Sequence, residues 1–417
     1  MPKNWKTYKL EDALEVLIDY RGKTPKKTLS GIPLVTAKIV KRGAIQEPKE
    51  FIAIKDYDKW MVRGFPEIGD IVLTTEAPLG EVAIIKNNKI ALAQRIVTLR
   101  GTVNILDSTY LKYFLQSSIG QNRLVARESG TTVTGIKQSE LRKVLIECPP
   151  YKEQTQIANI LSAIDDKIEN NLAINKTLED MAMAFYKHWF VDFGPFQEGE
   201  FIDSELGLIP KGWEVKIIGN VIDTLGGGTP KTTENSYWEN GDILWYSPTD
   251  LTRDNAMFSL DSSKRINNLG LLKSSAKLFP PYSLLMSSRA TIGALTINTI
   301  KASTNQGFIT MIPNDNMSVY QLYSWTKWNM DLIISKSNGS TFKEISKANF
   351  RSLEIVVGQN IELFLRESKN IFDKVENNIQ ENQSLTKLRD TLLPKLISGE
   401  VRLKEFREGI DAEMNSA

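Results

Sequence analysis

The residues with the best chemical credentials are few. Cys148-Pro149-Pro150-Tyr151 has the shape of an (Asp/Asn)-Pro-Pro-aromatic loop, which holds the exocyclic amine of a base for methyl transfer. The first position of such a loop must accept hydrogen bonds from the amine, and a thiol is a weak acceptor. No glycine-rich turn follows a strand in the manner of an adenosylmethionine or dinucleotide site. Gly226-Gly227-Gly228-Thr229 lacks the Gly-Lys-Ser/Thr ending of a phosphate loop. Glu47-Pro48-Lys49 and Asp165-Asp166-Lys167 have nuclease-like acid-x-Lys spacing without a clear upstream acidic partner. The single histidine, His188 in Lys187-His188-Trp189-Phe190, reads as a packing residue, and the single cysteine rules out a disulfide framework or a Cys-rich metal site. No catalytic or metal constellation emerges, and the chain itself calls for no cofactor.

Binding chemistry is better represented. Basic and small polar residues recur on predicted turns at Lys23, Thr24, Lys26 and Lys27, at Lys38, Lys41 and Arg42, at Gln94 and Arg95, and at Arg123 and Arg127 with Gly130, Thr131 and Thr132. Lys and Arg neutralise phosphates, while Arg, Gln and Asn make bidentate contacts to base edges. Each one alone is better read as a solvated surface charge; their clustering makes a nucleic-acid face credible. A second set comprises Thr229, Lys231, Thr232 and Thr233, then Ser287, Ser288 and Arg289, then Asn305 and Gln306, then Lys336, Asn338 and Ser340.

The elements that must position these residues follow from length and repetition. The 417 residues suffice for several domains, and 41% hydrophobic with 24% charged residues is the composition of a folded globular protein. No run of about 18 apolar residues and no apolar leader occurs, so a cytoplasmic location is expected. The net charge of +2 conceals a division: +8 over residues 1–150, −5 over 151–200, +1 over 201–350 and −2 over 351–417.

That alternation reflects an internal duplication. Pro2-Lys3-Asn4-Trp5 returns as Pro210-Lys211-Gly212-Trp213, and Gly22-Lys23-Thr24-Pro25-Lys26 as Gly227-Gly228-Thr229-Pro230-Lys231. Ser129-Gly130-Thr131-Thr132 is matched by Asn338-Gly339-Ser340-Thr341. Between 166–178 and 373–385 seven of thirteen positions are identical, at a shift of 207. The second polar set above is taken to occupy the positions of the first.

Each copy has two textures. Residues 1–150 and 201–357 carry short β-branched runs such as Ile71-Val72-Leu73-Thr74, Val82-Ala83-Ile84-Ile85 and Ile243-Leu244-Trp245-Tyr246, with short helices expected near 107–120 and 317–335, which is an α+β globule. Residues near 151–190 and 359–397 instead carry coiled-coil seams. The first runs through Ile157, Leu161, Ile164, Ile168, Asn171, Asn175 and Leu178; the second runs through Phe364, Ser368, Ile371, Val375, Asn378, Asn382 and Leu385. The natural partner of each helix is the other. The matched asparagines either specify register as buried polar groups or face solvent near a helix end. Pro149-Pro150 opens the first helix, Gly194-Pro195 follows it, and Pro394 with Gly399 punctuates the second.

Across its whole length the chain resembles the DNA specificity subunit of a type I restriction–modification system. The resemblance rests on Glu153-Gln154-Thr155-Gln156-Ile157-Ala158-Asn159-Ile160-Leu161-Ser162-Ala163-Ile164-Asp165-Asp166-Lys167-Ile168 and on Phe190-Val191-Asp192-Phe193-Gly194-Pro195-Phe196. Ile209-Pro210-Lys211-Gly212-Trp213 and Leu392-Leu393-Pro394-Lys395-Leu396-Ile397-Ser398-Gly399-Glu400-Val401 add to it. It implies an α+β architecture of two pseudo-repeated target-recognition domains separated by two long antiparallel coiled-coil helices. The corresponding boundaries are 1–150 for the first recognition domain, 151–193 for a central spacer helix, 194–357 for a linker and the second recognition domain, 358–400 for a C-terminal spacer helix, and 401–417 for a polar tail. The resemblance further implies double-stranded DNA as ligand, a split site, modification (methyltransferase) subunits docked on the helices, and restriction subunits joining them. S-adenosylmethionine, ATP and Mg²⁺ would belong to those partners. The competing expectations are a coiled-coil scaffold without sequence-specific DNA binding and a self-sufficient fused enzyme.

Overall fold

A computed structural model of the chain describes residues 2–22, 24–130, 134–289, 291–339 and 343–402. Of the residues singled out above, Lys23, Thr131, Thr132, Ser340, Thr341 and most of the polar tail lie outside that set. The described chain divides into two compact units: its residues up to 168 together with those from 384 to 402, and residues 169–383. Each unit therefore combines one globule with a part of both long helices.

In the first unit a four-stranded antiparallel sheet runs in the order Leu14–Asp19, Ile96–Gly101, Ile71–Thr75, Leu79–Ile84. Alternate residues of these strands serve two different cores, because successive side chains point to opposite faces. Ile71, Leu73, Val82, Val97 and Leu99 pack on one side with Tyr110, Tyr113 and Phe114 of the helix Ser108–Gln116. Val72, Ala83 and Ile96 pack on the other with Leu34, Val35 and Ile52 of a second sheet, ordered Ala91–Leu92, Ile32–Val35, Phe51–Ile52, Lys27–Thr28. The strand Ile71–Thr75 is buried at every position, which is why it reads Ile-Val-Leu-Thr-Thr, a β-branched run that does not alternate apolar with charged residues. Asp107 caps the helix Ser108–Gln116 by accepting from the Tyr110 amide at 2.8 Å.

The second unit repeats the plan. The strands Asp223–Leu225, Phe308–Ile312, Leu284–Ser287 and Leu295–Asn298 follow one another in a sheet closed by Phe258–Ser259. Leu284, Met286, Ile309 and Met311 enter one core, while Leu285 and Phe308 enter another. The parallel pair Ile243–Tyr246 and Ala302–Thr304 reproduces the parallel pair Ile32–Val35 and Ala91–Leu92. In both units the first and last strands of the globule pair antiparallel: Lys6–Lys9 with Leu145–Cys148, and Glu214–Ile217 with Glu354–Val357.

The long helices span Tyr151–Phe190 and Glu362–Ser398, and they run antiparallel within each unit. In the first unit Glu153 pairs with Arg402 and Asp165 with Arg389, while Ile157 and Leu161 share a core with Leu396 and Ile397. In the second unit Phe185 stacks on Phe364 at 5.4 Å, and Asn171 donates to Asn382. No residue of either predicted seam is exposed: Ile157, Leu161, Ile164, Asn171, Phe364, Ser368, Val375 and Asn378 are buried, and Ile168, Asn175, Leu178, Ile371, Asn382 and Leu385 are half-buried. The first helix begins directly after Pro149-Pro150, with the Glu153 amide donating to the Pro150 carbonyl at 2.7 Å. Pro394 departs from the expected punctuation, because the second helix continues through it to Ser398. The turn beyond Pro394 carries the buried Leu396 and Ile397, and their burial offsets the hydrogen bond a helical proline removes. The stop falls at Gly399, whose left-handed φ of 72° suits glycine.

Candidate nucleic-acid interface

In the first globule Thr24, Lys27, Lys38, Gln94 and Arg95 line one depression of about 300 Å³, together with Glu50. The strand Lys27–Thr28 and the short helical turn Ala37–Ile39 supply the lysines, and the turn before Ile96–Gly101 supplies Gln94 and Arg95. Arg95 has a left-handed φ of 72°. Its Nε donates to Glu76 Oε1 at 2.7 Å, and Lys27 Nζ donates to Glu50 Oε1 at 2.8 Å. Both pairs are open to solvent, so each contributes at most about 1 kcal/mol and both cations remain available to an anionic ligand. Lys26, Lys41 and Arg42 are exposed but lie outside the lining of the depression.

Arg123 and Arg127 are differently placed. Arg123 donates to the Leu145 carbonyl and to the Glu147 carboxylate, and Arg127 pairs with Glu140 at 3.1 Å. Both are half-buried, so these arginines tie the helix Ser118–Val125 and its exit to neighbouring segments.

In the second globule Thr229 Oγ1 and Gln306 Oε1 are 2.7 Å apart, with the hydroxyl donating. Asn305 Oδ1 accepts from the Gly307 amide at 2.8 Å, and the Ser288 amide donates to the Gly307 carbonyl at 2.8 Å. Arg289 lies against Gly307. Thr229, Gln306, Ser288, Arg289 and Asn305 thus meet in one place. Lys231, Thr232 and Thr233 are exposed on the loop that follows, and Lys336 and Asn338 are exposed beyond the helix Met330–Ser335.

The backbone hydrogen bonds fix how the two globules correspond. The Thr75 amide donates to Arg95 O, the Ile136 amide to Thr75 O, and the Ala93 amide to Val35 O. In the second globule Ser288 donates to Gly307 O, Ile345 to Ser288 O, and Asn305 to Tyr246 O. Gln94 therefore stands where Gln306 stands, one residue along from the sequence matching with Asn305. Likewise Ser287, Ser288 and Arg289 answer to Thr74, Thr75 and Glu76 and not to Lys38, Lys41 and Arg42. The sequence matching drifted because insertions between motifs move the shift from 207 at the helices to about 212 at these strands. Glu76 and Glu344, missed in the sequence, join the site through this frame; only an alignment made by strand register reveals them.

Among the described residues no group of three or more His, Cys, Asp and Glu side chains could hold a metal ion, and no helix is long and apolar enough to cross a membrane.

Comparison with known proteins agrees with this architecture. A family model described as type I restriction modification DNA specificity domain matches the chain twice, over residues 2–180 and 210–387. The MjaIX type I restriction enzyme specificity subunit of Methanocaldococcus jannaschii is 30% identical, covering 97% of this chain and 95% of its own. The HindI specificity subunit of Haemophilus influenzae is 25% identical over 67% of this chain and 74% of its own. A crystal structure of a type I restriction–modification S subunit from M. genitalium shares the fold, with a TM-score of 0.57 at 18% identity, covering 94% of this chain and 96% of that one.

Proposed function

Because the chain belongs to the type I restriction–modification DNA specificity family and carries its domain twice, we propose that it is the DNA-reading, non-catalytic subunit of a type I restriction–modification complex, with each globule reading one half of a bipartite site. The observation that carries this reading is the repeated hydrogen-bond frame around Thr75 and Ser288, which holds different side chains in the two globules. One scaffold with two chemistries is what a split, asymmetric target requires. In the first half, Lys27 and Lys38 anchor phosphates, while Gln94 and Arg95 reach base edges. In the second, Thr229, Gln306, Asn305 and Arg289 take the reading role.

On this reading the helix pair fixes the spacing between half-sites and docks two modification subunits, with restriction subunits completing the complex. Helices of 40 and 37 residues are about 60 and 55 Å long, comparable to one and a half turns of DNA at ~34–36 Å per turn. S-adenosylmethionine, ATP and Mg²⁺ then enter with the partner subunits, and the complex works in the cytoplasm on double-stranded DNA.

The test is to sequence the methylation pattern of DNA modified by the assembled complex. A bipartite motif is expected, and the Gln94→Ala/Arg95→Ala variant should relax one half of it and leave the other unchanged. An unaltered motif in that variant would refute the assignment of the first globule's reading residues. Absence of any salt-dependent duplex binding by the complex would refute the reading as a whole, because phosphate contacts make affinity fall steeply with salt.

A further inference from the structure

Three places in the shared frame hold the same three kinds of residue in a different order. The strand end after Ile71–Thr75 is Glu76 in the first globule, and its counterpart after Leu284–Ser287 is Arg289. The turn residue whose carbonyl accepts from Thr75 or Ser288 is Arg95 in the first globule and Gly307 in the second. The residue bridged to that strand end is Gly135 in the first and Glu344 in the second. The last equivalence is fixed twice over, since Gly135 exchanges hydrogen bonds with Ser129 as Glu344 does with Asn338. Each globule thus has one carboxylate, one guanidinium and one glycine on matched positions.

Room explains the glycines. A Cβ on Gly135 would lie 2.8 Å from Glu76 Cβ and 2.7 Å from the Thr75 carbonyl oxygen. A Cβ on Gly307 would lie 3.3 Å from Arg289 Nε. Neither glycine has a left-handed φ: at Gly135 it is the Thr75 backbone and the Glu76 Cβ that leave no room, and at Gly307 Asn305 Oδ1 at 3.1 Å crowds the position together with Arg289. In the first globule the guanidinium comes from the turn and is oriented by Glu76 at 2.7 Å; in the second it comes from the strand end. The glutamine beside it, Gln94 or Gln306, stays in place.

We propose that these three places, 76/95/135 and 289/307/344, are the element that makes the two half-sites different, with Arg95 and Arg289 each addressing a base edge that offers paired acceptors, as guanine does. The proposal rests on the DNA-reading function above and names where the discrimination resides. Moving the guanidinium from turn to strand end, beside an unmoved glutamine, shifts the donor fork relative to the amide and so changes which step of the duplex is read. A half-exposed ion pair such as Arg95–Glu76 adds little to folding, so stability gives little reason to keep it.

The experiment uses the full chain assembled with modification subunits, bound to a duplex library randomised along its length, with the selected sequences read out. Arg95→Lys keeps the charge and removes the fork, and Arg289→Lys does the same in the other globule. Each should lower the preference at one base position of its own half-site roughly 5- to 150-fold, with the other half-site and the salt dependence unchanged. A third variant, Arg289→Glu/Gly307→Arg/Glu344→Gly, gives the second globule the first globule's order and should move its half-site preference alone. If the wild-type complex selects a bipartite motif and both lysine variants select the same one undiminished, the inference fails while the function stands. Loss of preference at both half-sites from one substitution also overturns it. A wild-type complex that selects no motif would instead remove the function on which the inference rests. Should the triple variant not fold, the two lysine variants decide the matter alone.

Discussion

Asn171 Nδ2 donates to Asn382 Oδ1 at 2.9 Å, and the same contact recurs in reverse where Asn378 Nδ2 donates to Asn175 Oδ1 at 2.8 Å. The four residues form two repeat-related pairs at a shift of 207, so the helices meet here through two matching contacts. Asn171 also donates to Glu381 at 2.8 Å. Asn171 and Asn378 are each 1% exposed, which decides between the two expectations for these positions: they are buried polar groups and not solvent-facing ones. Only one axial alignment of the helices satisfies both pairs, and this is the kind of register constraint a leucine seam would not supply.

Asn171→Ala should lower stability by about 1–3 kcal/mol, the worth of the hydrogen bonds it gives to Glu381 and Asn382. Asn171→Leu/Asn378→Leu should recover most of that loss yet allow shifted helix pairing. Chemical denaturation combined with cysteine crosslinking across the helices checks both halves. A double-leucine variant that retains a single crosslinking pattern would show that the asparagines do not set register.

Asp165 is the centre of a second network, in the first unit. It accepts from Lys112 Nζ at 2.7 Å, from the Tyr113 hydroxyl at 2.7 Å and from Arg389 Nη1 at 3.1 Å. Burial pushes its carboxyl up, but Lys112, Tyr113 and Arg389 together more than reverse this and hold it below the usual aspartate value. A depressed carboxylate contributes stability that is present above its unfolded pKa, near 4, and is lost as pH falls through the lower folded value. Asp165→Asn should therefore flatten the acid limb of the stability profile for this unit. Asp165→Ala should cost about 3–5 kcal/mol, because it strands the buried Lys112. Pairing it with Lys112→Met should restore much of the loss, and equal stability of the single and double variants would contradict this account.

In the second unit the corresponding anchor is Tyr323, whose hydroxyl donates to Glu179 and whose ring packs edge-on against Phe372 at 5.6 Å. Lys327 pairs with the same carboxylate. Burial raises the Tyr323 hydroxyl well above its ordinary pKa, with Glu179 adding to the effect. Tyr323→Phe should cost about 0.5–1.5 kcal/mol beyond any packing change, measurable as a lowered urea midpoint with an unchanged slope.

Cys148 gives a probe of the first unit. Burial, aided by Glu147, pushes its thiol up to about 12, so almost no thiolate is present at neutral pH. A maleimide should leave the native protein unlabelled and react only as the strand Leu145–Cys148 opens. Rapid labelling without denaturant would show that this strand does not hold the cysteine closed.

Gly194 lies beside the single histidine. A Cβ there would fall 1.9 Å from His188 Cε1, the far end of an exposed side chain, so Gly194→Ala must swing the imidazole aside. The imidazole has solvent to turn into, so the variant should lose at most about 1 kcal/mol, within the range of an off-rotamer side chain. A larger loss, read by thermal unfolding and not restored by His188→Ala, would place the strain in the chain reversal.

The sequence alone carried the duplication, the α+β character of each half and both helical seams, because periodicity and exact repetition are local properties of the chain. Asn171 and Asn378 are identifiable as seam positions from their seven-residue phase, and the strand Ile71–Thr75 from its β-branched run. What the sequence could not supply was the correspondence of the loops. Between the repeated motifs the two copies differ by several inserted residues, and a single-residue error in matching is invisible without hydrogen bonds to count against. Hence motif spacing alone sets Gln94 one place away from Gln306, does not distinguish Arg123 and Arg127, which brace a helix, from surface cations, and gives no sign of Glu76 or Glu344. Those assignments depend on which strand end faces which turn, and only the folded chain, where residues some twenty to sixty positions apart share hydrogen bonds, decides that.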